Sequence, residues 1–132
     1  MAVFADTSGI FAHLDADDAH HHAAEKGWAE LASRREVIVT SNYVLLETVA
    51  LAARRLGLDA VHQFQTLFVP ILRVRWVDEA FHDRAMAAML TSGQRDLSLV
   101  DCVSFEIMRD MGLDTVFTFD AQFARRGFRC FP

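Results

Sequence analysis

The chain has few cysteines, few prolines and no long apolar run, and each scarcity excludes a class of protein. Cys102 and Cys130 are the only cysteines and lack metal-ligand spacing, so we expect free thiols in a reducing cytoplasm. With two prolines and no linker or low-complexity tract, residues 1–132 are expected to form a single domain. No apolar run approaches the roughly 20 residues of a membrane span. The start, MAVFADTSGIF, lacks the basic segment and cleavage site of a signal peptide.

Lysine is also scarce, since Lys26 is the only lysine among 13 basic residues. The net charge of −5 argues against a protein that coats nucleic acid through bulk electrostatics. Arginine, however, is the side chain best suited to bidentate phosphate contacts, so a phosphodiester substrate is not excluded. Arg54 and Arg55 form one of three arginine pairs at predicted helix ends, where they complement the helix dipole or line a path for RNA.

Short β-like runs alternate with longer helical runs along the chain. The pattern predicts five strands, at residues 2–5, 36–40, 72–77, 115–119 and 128–131. Helices are predicted between them, at residues 9–14, 18–34, 41–57, 59–69, 78–91, 98–111 and 121–126. This alternation indicates an α/β fold with a mostly parallel sheet covered on both faces. In such folds the ligand crevice lies at the carboxyl ends of the strands.

Two aspartates follow predicted strands directly. Asp6 comes after the strand at 2–5, and Asp120 comes at the end of the strand at 115–119. Both therefore fall where an open α/β sheet places its ligands. The alternative for each is that the side chain only caps the helix that follows.

Two further acids lie on helix faces that are expected to turn inward. Glu47 belongs to the helix that begins at Ser41, and Asp101 to the first turn of the helix that begins at Ser98. The residues three and four positions from Glu47 are mostly apolar, and an apolar stripe also runs beside Asp101. A lone buried carboxylate costs several kcal/mol unless something pairs with it. For Asp101, stabilisation of the helix dipole is the alternative explanation.

A bound divalent cation would relieve the repulsion between four converging carboxylates. Ligands that are all oxygen select Mg²⁺ or Mn²⁺ rather than zinc. Hydroxyl and amide side chains near these acids can hydrogen-bond carboxylates or phosphate, or can cap helices. One acid in a loop is either a residue of the pocket rim or a solvated surface residue. These secondary candidates are Thr7, Ser8, Asn42, Ser98 and Asp96.

The run His20, His21 and His22 invites a metal-site interpretation that helix geometry excludes. Consecutive helical residues point about 100° apart, so three of them cannot face one ion. We interpret these histidines as a solvated or dimer-facing helix start.

With these residues identified, the whole chain resembles a PIN domain, and more narrowly the VapC-type ribonuclease toxins. ADTSGIF is similar to the family's first motif and carries Asp6. TSNYVLLETVAL is similar to the second motif, with Glu47, and LSLVDCVSFEIMRDMG to the third, with Asp101. VFTFDAQFARRGF is similar to the fourth, with Asp120. Any one of these motifs is weak evidence, whereas all four in this order are strong evidence.

The resemblance implies a three-layer α/β/α sandwich with a central, mostly parallel sheet of about five strands. It implies endonucleolytic cleavage of RNA that depends on Mg²⁺ or Mn²⁺, with all four acids in the catalytic metal site. Asp6 and Asp101 would be direct or nearly direct ligands, and Glu47 and Asp120 would position water, one of them acting as general base. It also implies a homodimer and a cognate antitoxin protein whose tail enters the cleft.

Other functions remain open at this stage. One is a PIN nuclease that acts in RNA processing outside a toxin–antitoxin pair, and another is a non-catalytic PIN scaffold that binds RNA or a partner. Ala121 and Gln122 stand where the family carries arginine or histidine after the last acid. Receiver domains and haloacid-dehalogenase phosphatases also gather acids at strand ends, but Lys26 is misplaced for the first class and Ser8 interrupts the D-x-D motif of the second.

Overall fold

Five parallel strands form one sheet in the computed structural model, which describes residues 1–132. The strands are β1 (Ala2–Ala5), β2 (Val37–Ser41), β3 (Leu72–Arg75), β4 (Thr115–Phe117) and β5 (Arg129–Phe131). Their order across the sheet is β3–β2–β1–β4–β5, and every neighbouring pair is parallel. The predicted α/β class and strand number are confirmed.

Seven α-helices connect and cover the strands. They are α1 (Thr7–Leu14), α2 (His21–Ser33), α3 (Asn42–Arg55), α4 (Leu58–Gln63), α5 (Glu79–Ser92), α6 (Leu99–Met111) and α7 (Gln122–Arg125). The chain passes from β1 through β2 to β3 in one direction across the sheet and returns to β4 and β5 in the other. Right-handed crossovers therefore place α1 to α4 on one face and α5 to α7 on the other, which gives the predicted three-layer sandwich. None of the helices combines the length and the apolar character needed to cross a bilayer.

The sheet and helices enclose one cluster of 25 buried apolar residues. In β1, all residues but the first are buried, which fits a central strand covered on both faces. Trp28 of α2 stacks on Phe117 of β4, with ring centroids 4.0 Å apart, and donates a hydrogen bond from Nε1 to the carbonyl oxygen of Gly9. Helices α1 and α2 are thereby held against the end of β4.

Two glycines allow this close approach. A Cβ atom on Gly9 would lie 2.4 Å from a ring carbon of Phe117 and 2.6 Å from its carbonyl oxygen. A Cβ atom on Gly27 would lie 2.8 Å from the same ring. Because all three distances are shorter than a Cβ atom tolerates, only glycine lets α1 and α2 pack this close to β4.

Several element boundaries differ from those predicted. The helix predicted at 59–69 is α4 followed by a π-helical turn at Phe64–Phe68 and a 3₁₀ turn at Val69–Ile71. Pro70 lies in the 3₁₀ turn and lacks the N–H that a continued α-helix would need. The strand predicted at 115–119 ends at Phe117. Thr118 still donates its backbone N–H to Phe131, but its side chain turns to hydrogen-bond Asp6.

Candidate active site

A cleft of about 640 Å³ opens at the carboxyl edge of the sheet. It lies where β1 and β4 are neighbours but their connections lead to opposite sides of the sheet, the position at which open α/β folds bind ligands. The four acids predicted from the sequence all line this cleft, and they are Asp6, Glu47, Asp101 and Asp120.

Asp6 is buried at the base of the cleft, with 4% of its surface exposed. It occupies the N-cap position of α1, but its side chain makes no cap hydrogen bond. Instead, Asp6 Oδ2 accepts hydrogen bonds from Ser8 Oγ at 3.1 Å and Thr118 Oγ1 at 3.0 Å. Burial and then the charge of Asp101 raise the pKa of Asp6 to about 7. The capping alternative therefore does not explain this carboxylate.

Asp101 combines a structural contact with a place in the cleft. Ser98 Oγ accepts from Asp101 N at 3.1 Å, and Asp101 Oδ2 accepts from Ser98 N at 3.2 Å, which completes a capping box at the start of α6. Burial is the main cause that raises the pKa of Asp101, and the charges of Asp120 and Glu47 raise it further. The capping box therefore gives Asp101 a structural role at the start of α6. It does not relieve the repulsion between Asp101 and the other acids of the cleft.

Asp120 and Glu47 are more accessible than the other two acids. Asp120 Oδ1 accepts from Gln122 N at 3.0 Å, so this side chain does support the turn into α7. Glu47 was expected in the core, and that expectation is wrong, because its side chain is only partly buried and lines the cleft. Of its helical neighbours, Val44 is fully buried whereas Ala50 is exposed, so the apolar stripe of α3 ends at the cleft wall.

Three of the secondary candidates also line the cleft, namely Thr7, Ser8 and Ser98. Ser8 holds Asp6 and also accepts from Phe119 N at 2.9 Å. Thr7 Oγ1 is buried and has no hydrogen-bond partner, which leaves a polar atom beside the acids available to a ligand or water.

The other two secondary candidates lie elsewhere. Asn42 Oδ1 accepts from Val77 N at 2.8 Å and ties the start of α3 to the segment after β3. The Asp96 side chain is 68% exposed and accepts from Gln122 Nε2 at 2.9 Å. Neither residue lines the cleft.

Sequence reasoning missed several residues that shape the site. Thr118 holds Asp6, and its signal was a hydroxyl residue within the apolar run VFTF, directly before Asp120. Arg55, for which the sequence left both a helix-dipole role and an RNA-path role open, lines the cleft with its guanidinium 5.7 Å from the centroid of the Phe11 ring. His20 and Phe119 also line the cleft, and no sequence signal brings them together.

The acids suit a hard divalent cation that retains several of its water ligands when it binds a protein. Their donors are all oxygen, and the charge of Asp101 raises the cost of ionising Asp6. No carboxylate forms an ion pair with Arg55, the only lysine or arginine in the cleft. No three acidic, histidine or cysteine side chains form a group that could hold an ion by themselves. Magnesium commonly takes one or two carboxylates and several waters, so this looser arrangement suits it.

Comparisons with known proteins agree with this geometry. A family model described as a PIN domain matches residues 3–129. The 23S rRNA-specific endonuclease VapC20 of Mycobacterium tuberculosis, from two strains, is 35% identical over 127 residues, or 96% of this chain and 95% of that protein. Its crystal structure, described as a sarcin–ricin loop cleaving toxin, has a TM-score of 0.85 and 96% coverage of both chains. FitAcB from Neisseria gonorrhoeae shares the fold, with a TM-score of 0.72, 18% identity, and coverage of 98% of this chain and 96% of that one.

Proposed function

The chain belongs to the PIN-domain family, and from that premise we propose that it is a metal-dependent endoribonuclease and the toxin of a toxin–antitoxin pair. One observation carries the proposal. Two buried aspartates, Asp6 and Asp101, repel each other in a cleft at the carboxyl edge of the sheet, with no basic partner to neutralise them. A site of this kind is costly for the fold and suited to divalent metal chemistry on phosphodiesters.

Each residue has a distinct role in this proposal. Asp6 and Asp101 would hold Mg²⁺ or Mn²⁺, while Ser8 and Thr118 fix the Asp6 carboxylate through its Oδ2 atom. A divalent ion held there would supply a water of lowered pKa and a positive charge beside the phosphoryl group. Glu47 and Asp120, which are more accessible, orient the attacking water, and one of them accepts its proton.

The direct test is cleavage of RNA by variants that lose charge but keep shape. Asp6→Asn and Asp101→Asn should each lower cleavage in Mg²⁺ or Mn²⁺ on the order of 100-fold or more, and EDTA should abolish it in the unmutated protein. Asp83→Asn is the matched control, because Asp83 is exposed on α5 and outside the cleft. Circular dichroism verifies folding, and full activity in both acid variants would overturn the metal site.

We assign 23S rRNA, at the sarcin–ricin loop, as the RNA that the chain cleaves. The support is 35% identity across almost the whole length to a protein named for that rRNA and to a structure described as cleaving that loop. Sequencing of RNA ends after induction of the protein should show one dominant cut in this loop. Cuts spread over many transcripts, with the rRNA intact, would contradict the assignment.

We also propose a homodimer. Several large apolar side chains are left exposed by the single chain, including Leu46 at 71%, Trp76 at 70% and Leu90 at 72%. In a homodimer, the partner chain would cover such side chains. Light scattering of the purified protein should therefore give about twice the chain mass of 14.9 kDa. A monomer at micromolar concentration would contradict the dimer.

The cognate antitoxin is the second protein partner, and the cytoplasm is the compartment where all these components meet. An acidic cleft with one arginine suits a basic peptide segment. Both cysteines are free, as a reducing compartment would keep them. A small adjacent open reading frame, whose product binds this chain and inhibits cleavage, would support the pair. The four acids in the cleft argue against a non-catalytic scaffold. Similarity to a structure described as a toxin favours the toxin over an RNA-processing nuclease.

A further inference from the structure

Two aromatic rings stack face to face in the wall of the cleft. His20, directly before α2, and Phe119, between β4 and Asp120, have ring centroids 4.5 Å apart and ring planes inclined by 6°. Phe119 is half-buried and packs edge-on against Phe117, with centroids 6.1 Å apart. His20 is exposed, so it forms the outer member of the stack and leaves one ring face open.

The stack is anchored to the same network that holds the acids. Phe119 N donates to Ser8 Oγ at 2.9 Å, and Ser8 Oγ donates to Asp6. On the other side, His20 N donates to Asp18 Oδ1 at 2.8 Å, which fixes the chain before α2. These contacts place the stack next to the network that holds the buried Asp6 carboxylate.

The fold itself does not need the His20 ring. The ring makes no hydrogen bond or ion pair, and the residue provides no side-chain cap for α2. The neighbouring His21 differs, since its Nδ1 atom hydrogen-bonds the carbonyl oxygen of Ala12. An exposed aromatic ring that lines a cleft and has no structural contact beyond one stack is available to a ligand.

We propose that the His20–Phe119 stack is a base-binding platform, on which an unpaired base beside the scissile phosphate stacks against the open face of His20. The inference rests on the proposed ribonuclease function, because it concerns the same cleft. Proteins bind splayed-out RNA bases on aromatic and histidine rings, and such stacking tolerates any base. In a duplex, neighbouring bases cover both faces of each base. The platform therefore selects nucleotides in loops and single strands and leaves the choice of sequence to other contacts.

A binding experiment separates stacking from backbone contacts. The background is Asp101→Asn, in which cleavage is expected to be slower on the order of 100-fold or more, so that the RNA stays largely intact. The two probes are a mixed-sequence RNA of about 20 nucleotides and an abasic ribose-phosphate strand of the same length. His20→Ala should weaken binding of the base-bearing strand about 5- to 100-fold and leave the abasic strand unaffected. His20→Phe should keep the preference for bases. His22→Ala is the matched control, because His22 is an exposed neighbour outside the cleft.

Three results would overturn the platform: no change in His20→Ala, an equal loss for both strands, or no binding of the base-bearing strand at all. The proposed nuclease function fails in a different way, through absent or metal-independent cleavage by the unmutated chain. Because the comparison measures binding without cleavage, the two failures are distinguishable.

Discussion

At the level of single residues, Asp6 has the most unusual electrostatic surroundings. Its pKa rises from 3.8 to about 7, first because it is buried and then because Asp101 is near. A carboxyl whose pKa is raised on folding stabilises the fold below its unfolded pKa, and this contribution is lost as the pH rises through the folded value. Without metal, the protein should therefore lose up to about 4 kcal/mol of stability from this group between pH 4 and pH 8.

We expect Asp6→Asn to remove most of that pH dependence. The amide keeps the shape of the side chain but cannot ionise, so the variant should be more stable than the unmutated protein at pH 8 and similar to it at pH 4. Urea unfolding in metal-free buffer at both pH values measures the difference. Asp83→Asn, on the exposed face of α5, serves as the control and should leave the curve unchanged. If Asp6→Asn is less stable than the unmutated protein at pH 8, ionisation of Asp6 does not destabilise the fold as described.

The sequence was sufficient to predict four of the five acids that line the cleft, but it missed Asp18 and did not show how each acid is held. Asp6 and Asp120 follow from a topological rule, because strand ends meet at one edge of a parallel sheet. The exposure of Glu47 did not follow, since the apolar stripe on α3 does not reveal where the core gives way to a cleft. His20 was also missed as part of the cleft, and the sequence left open whether Arg55 lines a path for RNA, because the approach of α2 and α3 to this edge depends on tertiary packing.

At the level of secondary-structure elements, α1 and α2 position the site through their close contact with β4. The strand β1 was predicted with its bounds, since a short apolar run before a polar turn is a strong local signal. The π-helical turn after α4 was not predicted, because nothing local distinguishes it from a continued helix. The contact of Gly9 with Phe117 was also invisible in sequence, as helical glycines have several possible causes.

We expect Gly9→Ala to destabilise the protein by about 1–3 kcal/mol, since the new methyl group would overlap the ring and the carbonyl oxygen of Phe117. The sign of this change in stability is informative, because replacing glycine by alanine within a helix normally stabilises the helix by about 0.5–1 kcal/mol. Urea unfolding gives the free energy directly. The reverse substitution Ala53→Gly, at an exposed position of α3, measures the difference in helix propensity between alanine and glycine. A more stable Gly9→Ala protein would show that α1 can move away from β4 without cost.

At the level of the whole molecule, the charge distribution matters more than the net charge of −5. Much of the acidity that faces the substrate is concentrated in the cleft, where a divalent cation would offset it. The arginines lie mostly outside the cleft, and Arg55 is the one that lines it. RNA binding by such a protein is expected to depend on few contacts and to show a shallow dependence on salt. The single-domain organisation expected for residues 1–132 stays a prediction.

The two adjacent arginines at the end of α3 make this electrostatic argument testable. Arg55 faces the cleft and forms no ion pair, whereas Arg54 is also exposed but does not line the cleft. In the uncut Asp101→Asn background, Arg55→Ala should weaken RNA binding similarly for all sequences and reduce the slope of log affinity against log salt by about 1. Arg54→Ala should change neither quantity. Equal effects of the two substitutions would mean that the phosphates follow the outer surface of α3 rather than the cleft, because only Arg55 lines the cleft.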